Sequence, residues 1–92
     1  MVERDRVLAP FVRDGQLLAI PTKRAKRLVL LDLLAQEFEP GVHYPEREVN
    51  RRLRRWHLDV AALRRYLVDE GFLGREGGGG AYWRTGGSFD CD

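Results

Sequence analysis

The clearest structural signals lie in residues 44–71, whose sequence is YPEREVNRRLRRWHLDVAALRRYLVDEG. Pro45 suits the first position of a helix because its fixed φ is already helical. Glu46 and Glu48 then fall in the first turn, where the helix dipole favours negative charge. The sequence predicts a helix over residues 45–56, with three apolar side chains at helical spacing facing inward: Val49, Leu53 and Trp56.

A second helix follows closely. Asp59 is a suitable N-cap because its carboxylate can accept a hydrogen bond from a free backbone N–H group, and Gly71 can end the helix by adopting a positive φ. Only residues 56–58 separate the two helices, and so short a connection is typical of a helix-turn-helix. The predicted inward side chains of this second helix are Val60, Leu63 and Leu67.

Upstream of this pair, the sequence predicts two smaller elements and a central helix. Residues 2–12 can form a short helix, and residues 13–15 form a turn. Residues 16–20 are short and apolar, which favours a strand. Thr22 is the expected N-cap of a helix over residues 23–38. That helix has the broad apolar face of a buried central element: Leu28, Leu30, Leu31, Leu33, Leu34, Ala35 and Phe38.

Downstream, two short segments are predicted to pair as a hairpin, residues 72–76 and 81–84. The four glycines between them, Gly77–Gly80, make a connection too flexible for a tight turn. We expect one folded domain over residues 1–85 and a flexible tail over residues 86–92.

This order of elements predicts an α+β fold. It is that of a small winged helix-turn-helix-like domain, built as strand, three helices and hairpin, with a short N-terminal helix. In such a domain we expect the strand at residues 16–20 to pair with the C-terminal hairpin. A three-helix domain that carries an unrelated hairpin is the competing interpretation.

Length and composition restrict the class of protein. A chain of 92 residues with 43% hydrophobic and 33% charged residues is expected to form one folded domain. Its longest apolar run, Leu28–Leu31, is far too short to cross a bilayer, and the charged residues 3–6 argue against a signal peptide. We therefore expect a cytoplasmic protein with no membrane partner. Cys91 is the single cysteine, so the chain forms no internal disulfide.

Several phrases carry a resemblance to a known family: Gly15–Pro21, Lys23–Arg27, Tyr44–Asn50, Asp59, Leu63–Arg65, Leu67–Asp69, Gly71, Leu73, Arg75 and Tyr82. Over about residues 10–84 the chain resembles the prokaryotic family called domain of unknown function 2087. The resemblance implies a small domain that stands alone or is appended to helix-turn-helix regulators or acetyltransferases, with a suspected role in nucleic-acid binding. The family usually has a small hydroxyl residue where Pro45 stands, so the side-chain cap of a capping box is missing here.

Basic side chains are clustered, although the formal net charge is only +2. One cluster opens the predicted helix 23–38, where the dipole is already positive and a bound phosphate would relieve the repulsion: Lys23, Arg24, Lys26 and Arg27. Another lies on the solvent side of helix 45–56, where arginines neutralise DNA phosphates without reading sequence: Arg47, Arg51, Arg54 and Arg55. The alternative interpretation of each cluster is a solvated surface, and Glu48 can pair with Arg51 or Arg52.

Base reading would depend on the third helix. Arg65 is its one outward side chain near the N-terminus that can make a bidentate contact with guanine. Arg75 and Arg84, on the two hairpin strands, are further candidates for contacting nucleic acid. Of the two neighbouring aromatic residues, Tyr82 is expected in the core, while Trp83 either covers the edge of the core or stacks on a partner.

A catalytic function is not expected. The histidines and Cys91 match no metal-binding spacing, the glycine run lacks the Lys-Ser/Thr of a phosphate-binding loop, and Ser88, the sole serine, belongs to no triad. We expect no cofactor and no metal. The sequence favours a winged-helix domain that binds nucleic acid, with double-stranded DNA as its partner, acting as a small transcriptional regulator or accessory module. The alternative is a protein-interaction or dimerisation module of the same fold, which forms a homodimer or joins a partner regulatory domain without binding DNA.

Overall fold

Three long helices and five short strands form the part of the chain that the computed structural model describes, residues 6–77 and 80–88. The helices are α1 (Arg24–Ala35), α2 (Glu46–Arg54) and α3 (Val60–Asp69). The strands are β1 (Val12–Arg13), β2 (Gln16–Leu17), β3 (His43–Tyr44), β4 (Leu73–Arg75) and β5 (Tyr82–Arg84). Residues 6–8 are also helical, within the predicted N-terminal helix. The predicted α+β class is confirmed.

The pairing of β2 differs from the expectation. β2 does not join the C-terminal hairpin; it pairs with β1 in a separate two-stranded hairpin. Asp14 and Gly15 have φ values of 55° and 75°, the two positive values that a type I′ turn requires, and Asp-Gly is one of the pairs that favour this turn. The prediction of a strand over residues 16–20 is therefore wrong in both its partner and its length.

β3 takes the place in the main sheet that was expected of residues 16–20. The main sheet is antiparallel with the order β3–β5–β4, and His43 pairs with Trp83 while Tyr44 pairs with Tyr82. β3 lies between α1 and α2 in the chain. The predicted hairpin of residues 72–76 and 81–84 is confirmed as β4 and β5.

α1 begins and ends differently from the prediction. Its N-cap is Lys23, whose side chain makes no capping hydrogen bond, so the cap predicted at Thr22 is wrong. α1 ends before Phe38 because residues 36–38 bond to carbonyls three residues back, as a 3₁₀ turn does. The predicted inward face is confirmed by the buried side chains Leu30, Leu31, Leu34, Ala35 and Phe38. Leu28 and Leu33 are half-buried.

α2 and α3 form the predicted pair, with residues 56–58 between their caps. Pro45 is the N-cap of α2 rather than its first residue, because its ψ of 156° is extended. Asp59 caps α3, and its Oδ1 accepts a hydrogen bond from the backbone N–H of Ala62 at 3.2 Å. Gly71 follows α3 with a φ of 82°. The predicted inward residues Val49, Leu53, Leu63 and Leu67 are buried, and Trp56 and Val60 are half-buried.

The core lies between α1, the α2–α3 pair and the main sheet. Phe38 and Tyr44 meet edge to face with ring centroids 5.3 Å apart, a favourable geometry for aromatic pairs. Tyr82 is 1% exposed, which confirms its predicted place in the core. Leu8 and Leu17 extend the core towards the N-terminal hairpin. Within residues 6–77 and 80–88, no helix is long and apolar enough to cross a bilayer.

The first residues of the predicted tail contact α1. Oδ1 of Asp32 accepts a hydrogen bond from the backbone N–H of Ser88 at 2.6 Å, and Oδ2 accepts one from the Ser88 hydroxyl at 2.8 Å. Gln36 Nε2 donates to the Ser88 carbonyl at 2.8 Å. The rest of that tail, residues 89–92, lies outside the described residues, as do Gly78 and Gly79 of the connection predicted to be flexible.

Candidate nucleic-acid interface

The outer face of α2 carries three arginines that have no partner among the described residues: Arg47, Arg54 and Arg55. Val49 and Leu53 are buried on the opposite face, so the helical period turns these three side chains towards solvent. All three are exposed, as predicted. Because the guanidinium groups are unpaired, they are available for bidentate contacts with an anion. We call these three residues the α2 arginine face.

Two other arginines of α2 share one carboxylate. Arg51 donates from Nε and Nη2 to the two oxygens of Glu48 at 3.0 and 2.5 Å, and Arg52 donates from Nε to Oε2 at 2.8 Å. The hydrogen bonds from Arg51 and then Arg52 lower the pKa of Glu48 to about 2. Arg52 also donates to the carbonyl of Glu37 at 2.6 Å. Arg51 is therefore exposed with its charge offset, while Arg52 connects α2 to the end of α1.

The basic residues at the start of α1 are divided between solvent and α3. Arg24 donates from Nε and Nη2 to the carboxylate of Glu70, the C-cap of α3, at 3.0 and 2.7 Å. These hydrogen bonds lower the pKa of Glu70. Arg27 is half-buried, and its guanidinium carbon lies 4.6 Å from the ring centroid of Tyr66, a cation–π distance. The two lysines of the cluster are exposed: Lys23 and Lys26.

The exposed face of α3 carries one small residue, one arginine and one acid: Ala61, Arg65 and Asp69. Arg65 is exposed and has no partner among the described residues, and Ala61 is exposed one turn earlier. Arg64 is held against α2, because its Nη1 donates to Oδ1 of Asn50 at 2.5 Å. Of these two neighbouring arginines, only Arg65 is free to contact a partner.

The C-terminal hairpin offers one exposed cation. Arg75 is exposed, and its guanidinium carbon lies 5.8 Å from the ring centroid of Tyr82. Trp83 is half-buried and stacks on His43, with ring centroids 5.0 Å apart and an interplanar angle of 21°. This stacking fits the interpretation that Trp83 covers the sheet.

Arg84 does not lie on the surface where the sequence placed it. It is only 9% exposed, and its guanidinium group donates to the carbonyls of Phe38 at 3.3 Å, Gly86 at 2.9 Å, and Ser88. The alternation of side chains along a strand could have predicted this burial. Arg84 lies two positions after the buried Tyr82, so both side chains point to the same face of the sheet. Arg84 connects β5 to the segment that follows α1 and is not part of the candidate interface.

The structure separates the two predicted basic clusters. Arg54 and Arg55 precede the N-terminal end of α3, whereas Arg24 and Arg27 contact its C-terminal end. α3 has 10 residues, so its two ends lie about 15 Å apart. α2 and α3 pack against each other, and they carry the main candidate residues, the α2 arginine face and Arg65. The lysines of α1 belong to a second region.

The described residues include no group of three or more His, Cys, Asp and Glu side chains that could hold a metal ion. Residues 16–84 match the family model described as an uncharacterized protein conserved in bacteria, DUF2087. The match begins with β2 and ends with β5. No curated protein and no solved structure matches the chain at a significant level.

Proposed function

The chain belongs to the bacterial family DUF2087, and from its own surface we propose that it is a winged-helix domain that binds double-stranded DNA. It acts as a small transcriptional regulator or an accessory module. Its role is binding rather than catalysis. We expect it in the cytoplasm, because that is where bacterial DNA is found. The single observation that carries this proposal is the α2 arginine face.

The order of elements supports the winged-helix part of the proposal. α1, β3, α2, α3, β4 and β5 follow one another, and β3 lies at one edge of a sheet with the order β3–β5–β4. In a winged helix, a strand between the first two helices pairs with the hairpin that follows the third. β3 has that position, and the short connection between α2 and α3 suits a helix-turn-helix.

The α2 arginine face supports contact with the DNA backbone. In a helix-turn-helix, the helix before the reading helix crosses the backbone, where cations neutralise phosphates without reading sequence. Arg54 and Arg55 lie at the end of α2 that leads into α3, and Arg47 lies at its start. These guanidinium groups have no carboxylate partner among the described residues, and a row of phosphates would supply acceptors for them.

A salt series with a labelled random-sequence duplex tests the proposal by fluorescence anisotropy. Arg47→Gln, Arg54→Gln and Arg55→Gln should each reduce the slope of log affinity against log salt by about 0.9 per lost phosphate contact. Arg24→Gln is the matched control, because Glu70 already offsets that charge, and its slope should stay at the wild-type value. Absence of wild-type binding at about 50 mM salt, where non-specific binding is tight, would remove the proposal.

Arg65 has a different role in this proposal. It is the exposed α3 side chain that can contact guanine in the major groove. Selection from random duplexes identifies any preferred sequence. Arg65→Ala should weaken binding to that sequence by about 1–3 kcal/mol while binding to random duplexes changes little. Equal losses on both duplexes would assign Arg65 to the backbone contacts instead.

A further inference from the structure

A groove of about 290 Å³ lies between β2 and the connection from α2 to α3. It is lined by residues of three kinds: apolar side chains, two nitrogen donors and one amide. They are Gln16, Leu17, Arg54, Trp56, His57 and Leu58. β2 is fixed against this connection, because the backbone N–H of Leu17 donates to the carbonyl of Trp56 at 2.7 Å. The groove is therefore part of the folded structure.

The groove carries the most exposed large apolar side chain of the described residues. Leu58 is 80% exposed, compared with 57% for Leu18 and 37% for Val42. A single exposed leucine is ordinary, but Leu58 lines a concave surface together with the half-buried Trp56 and the buried Leu17. Apolar surface in a concave site favours burial of an apolar group from a ligand.

Three side chains in the groove have hydrogen-bond donors with no acceptor among the described residues: Gln16, Arg54 and His57. Arg54 is exposed and unpaired. Nδ1 of His57 accepts a hydrogen bond from the backbone N–H of Asp59 at 3.0 Å, so the neutral ring carries its proton on Nε2, which remains a donor. The acids nearby are engaged elsewhere: Glu37 accepts from Trp56 Nε1 at 3.1 Å, and Asp59 caps α3.

We infer that this groove binds a short acidic segment of a partner protein. An apolar side chain of the segment packs against Trp56 and Leu58, and a neighbouring carboxylate accepts hydrogen bonds from Arg54 and His57. Charge complementarity selects the carboxylate, because charge-assisted bonds to guanidinium are the strong ones. The groove lies at the lower end of the range of about 300–1,000 Å³ for sites that take drug-sized ligands, which suits one or two side chains. Arg54 also belongs to the α2 arginine face, so the segment and DNA compete for it.

The test is selection of random short linear peptides displayed on phage against the full chain, followed by anisotropy with the selected peptides after synthesis. We expect selected peptides to carry Asp or Glu beside an aliphatic or aromatic residue. Leu58→Ser and Arg54→Gln should each weaken their binding by about tenfold or more. Leu18→Ser is the matched control, since Leu18 is exposed but does not line the groove, and it should bind as wild type does. Circular dichroism checks that each variant is folded.

Three results would overturn the inference: no peptide enriched, enriched peptides without acidic residues, or binding that Leu58→Ser leaves unchanged. The DNA proposal is tested separately in the same variants. Leu58 makes no phosphate contact, so Leu58→Ser should keep the wild-type affinity for the random duplex and its salt slope. Peptide binding without DNA binding would remove only the proposed function, and DNA binding without peptide binding would remove only this inference.

Discussion

Gly74 and Trp83 lie opposite each other in β4 and β5, and the indole occupies the space above the glycine. A Cβ atom built on Gly74 would lie 2.8 Å from both Cε2 and Nε1 of Trp83, closer than van der Waals contact permits. The same indole stacks on His43 from β3. The Trp83 side chain on β5 therefore contacts residues of both neighbouring strands, β3 and β4. Residue 74 has to be glycine because a larger side chain would overlap the indole.

Gly74→Ala is expected to destabilise the fold by about 1–3 kcal/mol, the usual cost of overpacking. The measurement is urea denaturation followed by circular dichroism. Gly77→Ala is the matched control, because a Cβ there meets nothing within 4 Å, and its effect should stay within about 0.5 kcal/mol. In a Trp83→Ala background, Gly74→Ala should lose most of its cost. A persistent cost there would place the strain elsewhere.

Glu48 should make the stability of the folded state depend on pH in the acid range. Its pKa is about 2 in the folded chain, compared with an ordinary value of 4.5, because Arg51 and Arg52 donate to it. A lowered carboxyl pKa stabilises the folded state above the ordinary value, and this contribution is lost as pH falls from 4.5 towards 2. Thermal unfolding across that interval should therefore show a smaller loss of Tm in Glu48→Gln than in the wild type.

Glu39→Gln is the control for that series, since Glu39 is exposed and forms no ion pair with a described residue. It should follow the wild-type curve. If the curve of Glu48→Gln also matches the wild type, the paired arginines do not stabilise the folded state through Glu48.

At the scale of the element, α1 and α3 begin in opposite ways. α3 has an aspartate N-cap with a side-chain hydrogen bond, whereas α1 has Lys23 at its N-cap, no capping hydrogen bond and no acid in its first turn. Lys23→Asp would supply both a cap and a favourable charge. We expect it to stabilise the fold by about 0.5–1 kcal/mol. Lys23→Ala, the control, removes the charge without adding a cap and should gain less.

These variants also bear on DNA binding, because Lys23 is exposed beside Lys26. If α1 contacts phosphate, both Lys23 variants should lower the salt slope while only Lys23→Asp raises stability. A stabilising Lys23→Asp with an unchanged salt slope would confine DNA binding to α2 and α3.

The helices were predictable because their signals are local. The bounds of α3 follow almost to the residue from its N-cap Asp59, the terminating Gly71 and the spacing of its buried leucines. The helical period of α2 likewise predicts the exposed face that carries Arg47, Arg54 and Arg55. A two-residue strand carries no such pattern. β3 is recognisable only by its pairing with β5, 40 positions further along the chain.

Long-range partners explain the other differences between sequence and structure. Arg24 meets Glu70 across 46 positions, and Arg84 meets the carbonyl of Phe38 across the same separation. Neither contact follows from the spacing of nearby residues. The hairpin of β1 and β2 has a local signal in the Asp14–Gly15 pair, but nothing in the sequence near β2 shows that it pairs with β1 rather than with the C-terminal hairpin.

At the scale of the molecule, one core joins all the long helices to the main sheet. Leu31 of α1 and Leu63 of α3 are both 0% exposed within it. Leu31→Ala and Leu63→Ala should each cost about 2–5 kcal/mol, because each leaves a cavity that the neighbours fill only in part. Urea denaturation measures both.

Leu18→Ala is the control for this pair, because Leu18 is 57% exposed and its truncation should change stability by no more than about 0.5 kcal/mol. A core variant that denatures at the wild-type midpoint would show that its helix does not pack against the rest of the core.

The pairing of β3 with β5 also sets when the domain can be completed as the ribosome makes it. His43 must wait for Trp83, 40 residues later, and at about 5–20 residues per second this takes roughly 2–8 s. α2 and α3 can form meanwhile, because their contacts are local. Until β5 emerges, β3 has an unpaired edge open to other nascent chains. β5, the last of the described elements, is therefore the one that closes the sheet and ends this exposure.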